Sequence, residues 1–179
     1  MRQIQTMKST PILLFFVFLI FVSCGESKKN DYPGGKDGEL NWIDMKTAAT
    51  IPNTEKKMYF VDVYTDWCGW CKVMDRKTFT DPKVIQALSE KYHVVKFDAE
   101  QQEPINFNGQ TYEWQAAGRS GVNMLAFALL QGQLSYPSYV FLDADRKPFK
   151  IARGFMPADQ FLQELASEKK KKIGTLAQL

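Results

Sequence analysis

Three cysteines and one histidine are all that the 179 residues offer to soft-metal or imidazole chemistry. A structural zinc site needs about four ligands from Cys, His or carboxylate, and a Ser–His or Cys–His hydrolase needs a histidine beside its nucleophile. The lone His93 reads as a packing or edge residue of a strand, so a structural zinc site and hydrolysis both fall away, and no metal site is expected. Long hydrophobic runs are missing too. The longest, Ile12 to Val22, has eleven residues, against the ~20 that a membrane-spanning helix requires. Nor is there an excess of charge. The formal balance is 23 basic against 20 acidic residues, and without Arg2 and Lys8 near the N-terminus it is 21 to 20. Nucleic acid is excluded as a partner, since its affinity rests on clustered Lys and Arg. With 45% apolar and 24% charged residues, the chain has the composition of an ordinary globular protein with room for one domain.

What is present begins with the apolar run itself. Preceded by Arg2 and Lys8, it has the layout of a secretory signal over residues 1–23. It closes on Phe21-Val22-Ser23-Cys24, which resembles a bacterial lipobox and implies a lipidated Cys24. Residues 24–39 are rich in Gly, Lys, Asp and Ser and read as a flexible tether. The expected setting is therefore an exported lipoprotein, held at a membrane by its anchor and facing the periplasm.

The periodicities change from Leu40 onward, and 40–179 is read as one domain. Leu40, Trp42, Ile43 and Met45 to Ala49 suggest a short helix; Met58 to Tyr64 is a buried strand of β-branched and aromatic residues. A helix is expected from the segment Trp67-Cys68-Gly69-Trp70-Cys71-Lys72 to about Phe79. Asp81-Pro82 then supplies a cap and a first-turn proline for a helix to Glu90. Strands follow at Val94–Asp98, 138–142 and about 149–152, and a closing helix at 157–168. The connection of about 100–136 is the least patterned. Its apolar stretch Met124 to Leu130 predicts helix within it.

Cys68 and Cys71 stand two residues apart at the strand-to-helix junction. In a first helical turn their sulfurs can reach bonding distance, and Cys68 is expected to point outward where free N–H groups and the helix dipole stabilise a thiolate. A thiolate is the attacking species in disulfide exchange. A structural disulfide remains the other reading of such a pair, and a copper(I) carrier using both thiolates and Met74 is a weaker one.

The run WCGWCK after a β-rich segment resembles the thioredoxin superfamily active site. The wider segment from Val61 to Leu88 is similar to secreted thioredoxin-like proteins of the kind found in the C-terminal domain of DsbD. The resemblance implies an α/β fold with a central mixed sheet, helices on both faces and a helical insertion before a cis-proline. It implies a thiol:disulfide oxidoreductase acting on protein disulfides in the periplasm, with a reductase role expected and no cofactor beyond the Cys68–Cys71 pair. Cys68 would be the nucleophile, Cys71 the resolving thiol, and Asp62, six residues before Cys68, a buried acid of raised pKa. Trp67, Gly69, Trp70, Lys72, Tyr136 and Pro137 would form the surface around the pair, Tyr136-Pro137 carrying the cis bond. Partners would be protein thiols or disulfides and a membrane electron-transfer protein of DsbD type. A module that binds peptides without catalysis is the alternative.

Overall fold

The computed structural model describes residues 38–118 and 120–167. The elements are β1 (Ile43–Asp44), α1 (Met45–Thr50), β2 (Met58–Tyr64), α2 (Gly69–Lys77), α3 (Pro82–Lys91), β3 (Tyr92–Asp98), β4 (Ile105–Phe107), β5 (Gln110–Tyr112), β6 (Trp114–Ala117), β7 (Ser120–Asn123), α4 (Met124–Leu129), β8 (Ser138–Leu142), β9 (Pro148–Arg153) and α5 (Ala158–Ala166). Five strands form the central sheet in the order β1-β3-β2-β8-β9. It is mixed, as expected: β1 and β2 run parallel to β3, while β8 lies antiparallel to both β2 and β9.

Strand period divides the core. Tyr59, Val61 and Val63 of β2 face one side, with Met45 of α1 and Leu125 and Leu129 of α4. Phe60 faces the other, with Met74 of α2, Val84 and Leu88 of α3 and Phe161 of α5. Helices thus cover both faces. On the second side the rings pack densely, Phe60 lying 5.7 Å from Tyr139 and 5.5 Å from Phe161. Alternation also puts Asp62 on that face, and Lys96 beside Tyr92 and Val94 on the same face of β3.

Local chemistry explains the helix starts. Asp81 Oδ1 accepts from the N–H groups of Lys83 and Val84 at 2.9 and 3.3 Å, and Pro82 occupies the first turn. At the N-terminal end the structure departs from the expected helix. Ile43 and Asp44 pair with β3 first, and α1 starts at Met45 because Asp44 caps it, accepting from Thr47 N at 2.7 Å.

The connection before Pro137 holds the expected helix, α4, but also two β-hairpins that the sequence reading missed. Asn108 and Gly109, at φ 50° and 82°, make the two-residue turn between β4 and β5. Asn123 fastens this region to the sheet. Fully buried, its side chain donates to the carbonyls of Gln101 and Glu103 at 3.1 and 3.3 Å and accepts from Leu125 N at 3.0 Å; its own N–H donates to Ala99 at 2.8 Å. Asn123→Ala strands these backbone groups, so urea unfolding should show a loss of about 2–3 kcal/mol. A loss below about 0.5 kcal/mol would mean that the insertion is not anchored here.

Candidate active site

Strand β2 delivers the chain to one end of the sheet, and Thr65 to Cys68 turn it into α2. Ala99 N donates to Tyr64 O at 2.8 Å and Cys68 N to Thr65 O at 3.0 Å, fixing this turn against the end of β3. Cys68 is the N-cap of α2; its sulfur accepts from Cys71 N at 3.1 Å. Cys68 and Cys71 are joined as a disulfide, with S–S 2.05 Å and Cα–Cα 5.3 Å. The sequence reading placed Cys68 pointing outward. Instead it is 5% exposed and Cys71 3%, while the neighbouring Trp67, Gly69 and Trp70 are exposed.

Trp67 and Trp70 are 66% and 60% exposed. Trp67 packs edge-on to Tyr136 at 5.8 Å and donates through Nε1 to Glu100 at 3.1 Å; Trp70 lies 5.3 Å from Phe155. The Tyr136–Pro137 bond is cis, and Pro137 O accepts from Gly154 N at 2.9 Å, which ties the proline to the end of β9. Gly154 has φ 86°, a conformation suited to glycine. Phe155 and Met156 follow, and Thr78 Oγ1 at the end of α2 donates to Met156 O at 2.7 Å. The same loop silences Met74: it is fully buried and its sulfur accepts from Met156 N at 3.4 Å, so it is placed as core rather than as a copper ligand. Lys72 is exposed on α2.

Asp62, on β2 ahead of the turn that carries the cysteines, is 1% exposed. Its Oδ2 accepts from Lys96 Nζ at 2.6 Å, while Oδ1 has no hydrogen-bond partner among the described residues. Burial raises the Asp62 pKa, and the Lys96 ammonium offsets only part of that push. Burial also opposes the charge of Lys96, but Asp62 and Asp75 together outweigh it and hold the lysine pKa above its ordinary value. Lys96 bonds to Asp75 of α2 as well and sits over the rings of Trp42 and Tyr64.

Lys96 and Asp75 are site residues that the sequence reading missed. A signal existed for one of them: a lysine inside Val94-Val95-Lys96-Phe97 needs a partner, and Asp62 and Lys96 are register partners on neighbouring strands. His93 is half-buried and its Nε2 lies 3.2 Å from Asn53 Oδ1, a structural role. Among the described residues no group of three His, Cys, Asp or Glu side chains is arranged to hold a metal ion, and no helix is long and apolar enough to cross a membrane. Cys24, the leader and the lysines at 169–172 lie outside the described residues.

A family model described as a thioredoxin-like domain matches residues 45–169. The chain is 30% identical over 117 residues to the thiol:disulfide interchange protein DsbD of Tatumella citrea, covering 64% of this chain and 17% of that one. It is 42% identical over 86 residues to thiol:disulfide interchange protein DsbD 1 of Pseudomonas aeruginosa, 45% of this chain and 14% of that one. It thus spans less than a fifth of the length of these relatives. Among solved structures, a thioredoxin from Thermus thermophilus superposes with TM-score 0.52 at 19% identity, over 72% of this chain and 85% of that one. A structure named DsbH oxidoreductase gives 0.51 at 19%, over 72% and 83%; at such identities the likeness shows the fold alone. With the sheet order, the disulfide at the start of α2 and the family match all in agreement, the chain belongs to the thioredoxin-like family, as one of its disulfide oxidoreductase-type members with a Cys68–Cys71 pair.

Proposed function

We propose that the protein exchanges thiols and disulfides with protein partners in the periplasm, acting as a reductase, and that it is tethered to a membrane through a lipidated Cys24. The observation that carries this reading is the Cys68–Cys71 disulfide at the N-terminus of a nine-residue helix, framed by exposed tryptophans and the cis Tyr136–Pro137 bond. In the reduced form the N–H groups of α2 and its dipole favour a Cys68 thiolate. That thiolate attacks a substrate disulfide; one substrate sulfur leaves and the other stays bonded to Cys68. Cys71 then loses its proton to Asp62, attacks the Cys68 sulfur and releases the reduced substrate, restoring the internal disulfide. Lys96 holds Asp62 in place, and Lys72 adds a positive charge near the pair.

Support for the setting comes from the charged and apolar layout of residues 1–23 and from Cys24 at the end of the run. A DsbD-type membrane protein is the proposed electron donor. The test is reduction of insulin with dithiothreitol as electron source, paired with the reduction potential of the Cys68–Cys71 couple in thiol buffers. Turnover above the dithiothreitol background and a potential near about −270 mV support a reductase; a potential above about −180 mV reverses the direction, and no reversible couple sinks the exchange reading.

A further inference from the structure

Among the described residues the exposed large hydrophobic side chains are three: Trp67, Trp70 and Leu134. Two of them sit at the disulfide, Trp67 immediately before Cys68 and Trp70 immediately before Cys71, while Leu134 lies two residues before Tyr136 in the chain. Their ring partners Tyr136 and Phe155 extend the apolar surface to either side. Apolar surface gathered at one place marks an interaction site. Here its centre is the reactive bond.

The two sides of this surface differ in charge. On the Trp67–Tyr136 side stand three carboxylates. Asp66 is exposed and immediately precedes Trp67; Glu100 accepts from the Trp67 indole; Asp98 Oδ1 accepts from Glu100 N at 3.0 Å, closing the turn after β3. None of the three has a cation within salt-bridge distance among the described residues, whose ion pairs lie elsewhere. Their mutual proximity is felt: burial first, then Asp66 and Glu100, raise the Asp98 pKa, and burial with Glu100 and Asp98 pushes the Tyr136 phenol up to about 12. An uncompensated group of like charges beside an apolar platform is a surface waiting for a cation on whatever docks there.

We propose that this surface takes an extended, cysteine-bearing segment of a partner protein that carries an apolar residue next to its cysteine and a Lys or Arg on the flank facing Asp66, Asp98 and Glu100. Anionic thiols and disulfides are disfavoured at the same place. The inference rests on the exchange activity proposed above and names the class of partner for that site. The aromatic pairs supply apolar contact without selecting charge; the carboxylates select charge without contributing to the apolar contact.

The experiment uses the full chain carrying Cys24→Ser, oxidised, with three thiol peptides as reductants: acetyl-Lys-Phe-Cys-amide, acetyl-Glu-Phe-Cys-amide and acetyl-Lys-Gly-Cys-amide. In each reaction the peptide thiolate attacks Cys68 Sγ, the Cys68–Cys71 bond breaks and Cys71 leaves as a thiol. A second peptide thiolate then resolves the mixed disulfide, giving reduced protein and oxidised peptide. Rates, followed by the protein's tryptophan fluorescence, are divided by each peptide's rate with hydroxyethyl disulfide, which removes differences in intrinsic thiol reactivity. At low ionic strength the Lys-Phe peptide should outpace the Glu-Phe peptide about tenfold, and the ratio should shrink to about twofold in 0.5 M salt. It should also outpace the Lys-Gly peptide about threefold. The double variant Asp66→Asn, Glu100→Gln should bring the Lys-to-Glu ratio below about twofold, while Asp66→Glu, which keeps the charge, should preserve it. Equal rates for the Lys and Glu peptides, or a ratio unmoved by the double variant, overturn the proposal. Failure of all three peptides to reduce the protein overturns the exchange activity itself.

Discussion

Cys68→Ser should abolish insulin reduction, leaving only the dithiothreitol background, whereas Cys71→Ser should keep the first step and lose the second. The asymmetry follows from the position of each sulfur. Cys68 is the N-cap residue, where unpaired N–H groups and the positive end of the helix dipole act on it; Cys71 lies in the first turn, on the buried face of α2. With Cys71 gone, attack on a substrate leaves a covalent complex with nothing at hand to cleave it. Mass spectrometry of the Cys71→Ser protein should therefore find a mixed disulfide through Cys68 in most of the molecules, and the Cys68→Ser protein should form far less. Equal trapping by the two variants would remove the assignment of nucleophile and resolving thiol.

The second large effect is expected at Asp62, and it has two faces. Asp62→Asn keeps the shape of the side chain but removes the proposed proton acceptor, so resolution of the mixed disulfide should slow about a hundredfold at pH 7. Stability should move the other way. The folded protein holds the Asp62 proton to a higher pH than the unfolded chain does, since burial raises its pKa above the ordinary 3.8. That preference stabilises the fold fully below pH 3.8 and is lost as pH rises through the raised value. At pH 8 the unfolded chain ionises this group freely while the buried site, with one oxygen unpartnered, resists its charge, and Lys96 keeps Asp75 when Asp62 becomes Asn. The oxidised Asp62→Asn protein should thus be more stable than the parent by about 1–3 kcal/mol at pH 8, with the gain vanishing near pH 3.5. Urea titrations at the two pH values decide it; a gain independent of pH would locate the effect in packing rather than in the charge.

What the sequence disclosed about this site was what lies close together along the chain. Trp67 to Lys72 carries its own spacing, and Asp62 precedes it on the strand that leads into it. Asp81-Pro82 announces α3 by the same local logic, a cap followed by a residue with its φ already set. Tyr136-Pro137 stands immediately before a strand, and the resemblance to the thioredoxin superfamily marks it as the cis-proline. The residues that escaped are joined to the site only by topology. Lys96 meets Asp62 because β3 lies beside β2, and Asp75 joins them from α2. Glu100 reaches Trp67 across 33 positions, and Phe155 meets Trp70 from the far end of β9. The hairpins were missed for another reason. In 100–136 the apolar stretch of α4 dominated the reading, although Asn108-Gly109 is the turn dipeptide that a two-residue hairpin demands. Strands of three residues are too short to show an alternation of their own.

The limits of the central sheet bear on how copies of this protein behave toward one another. One outer strand, β1, has two residues, and the other, β9, opens on Pro148 opposite a register shift at Phe141 and Leu142. A proline has no N–H to give and a bulge breaks the row of evenly spaced donors and acceptors, so neither border presents a long, regular ladder to a newcomer. Copies concentrated on one membrane surface would collide often, yet they would find little backbone on which to build a shared sheet. The crowding that the proposed tether would bring and resistance to strand-by-strand aggregation are in this way compatible in one small domain.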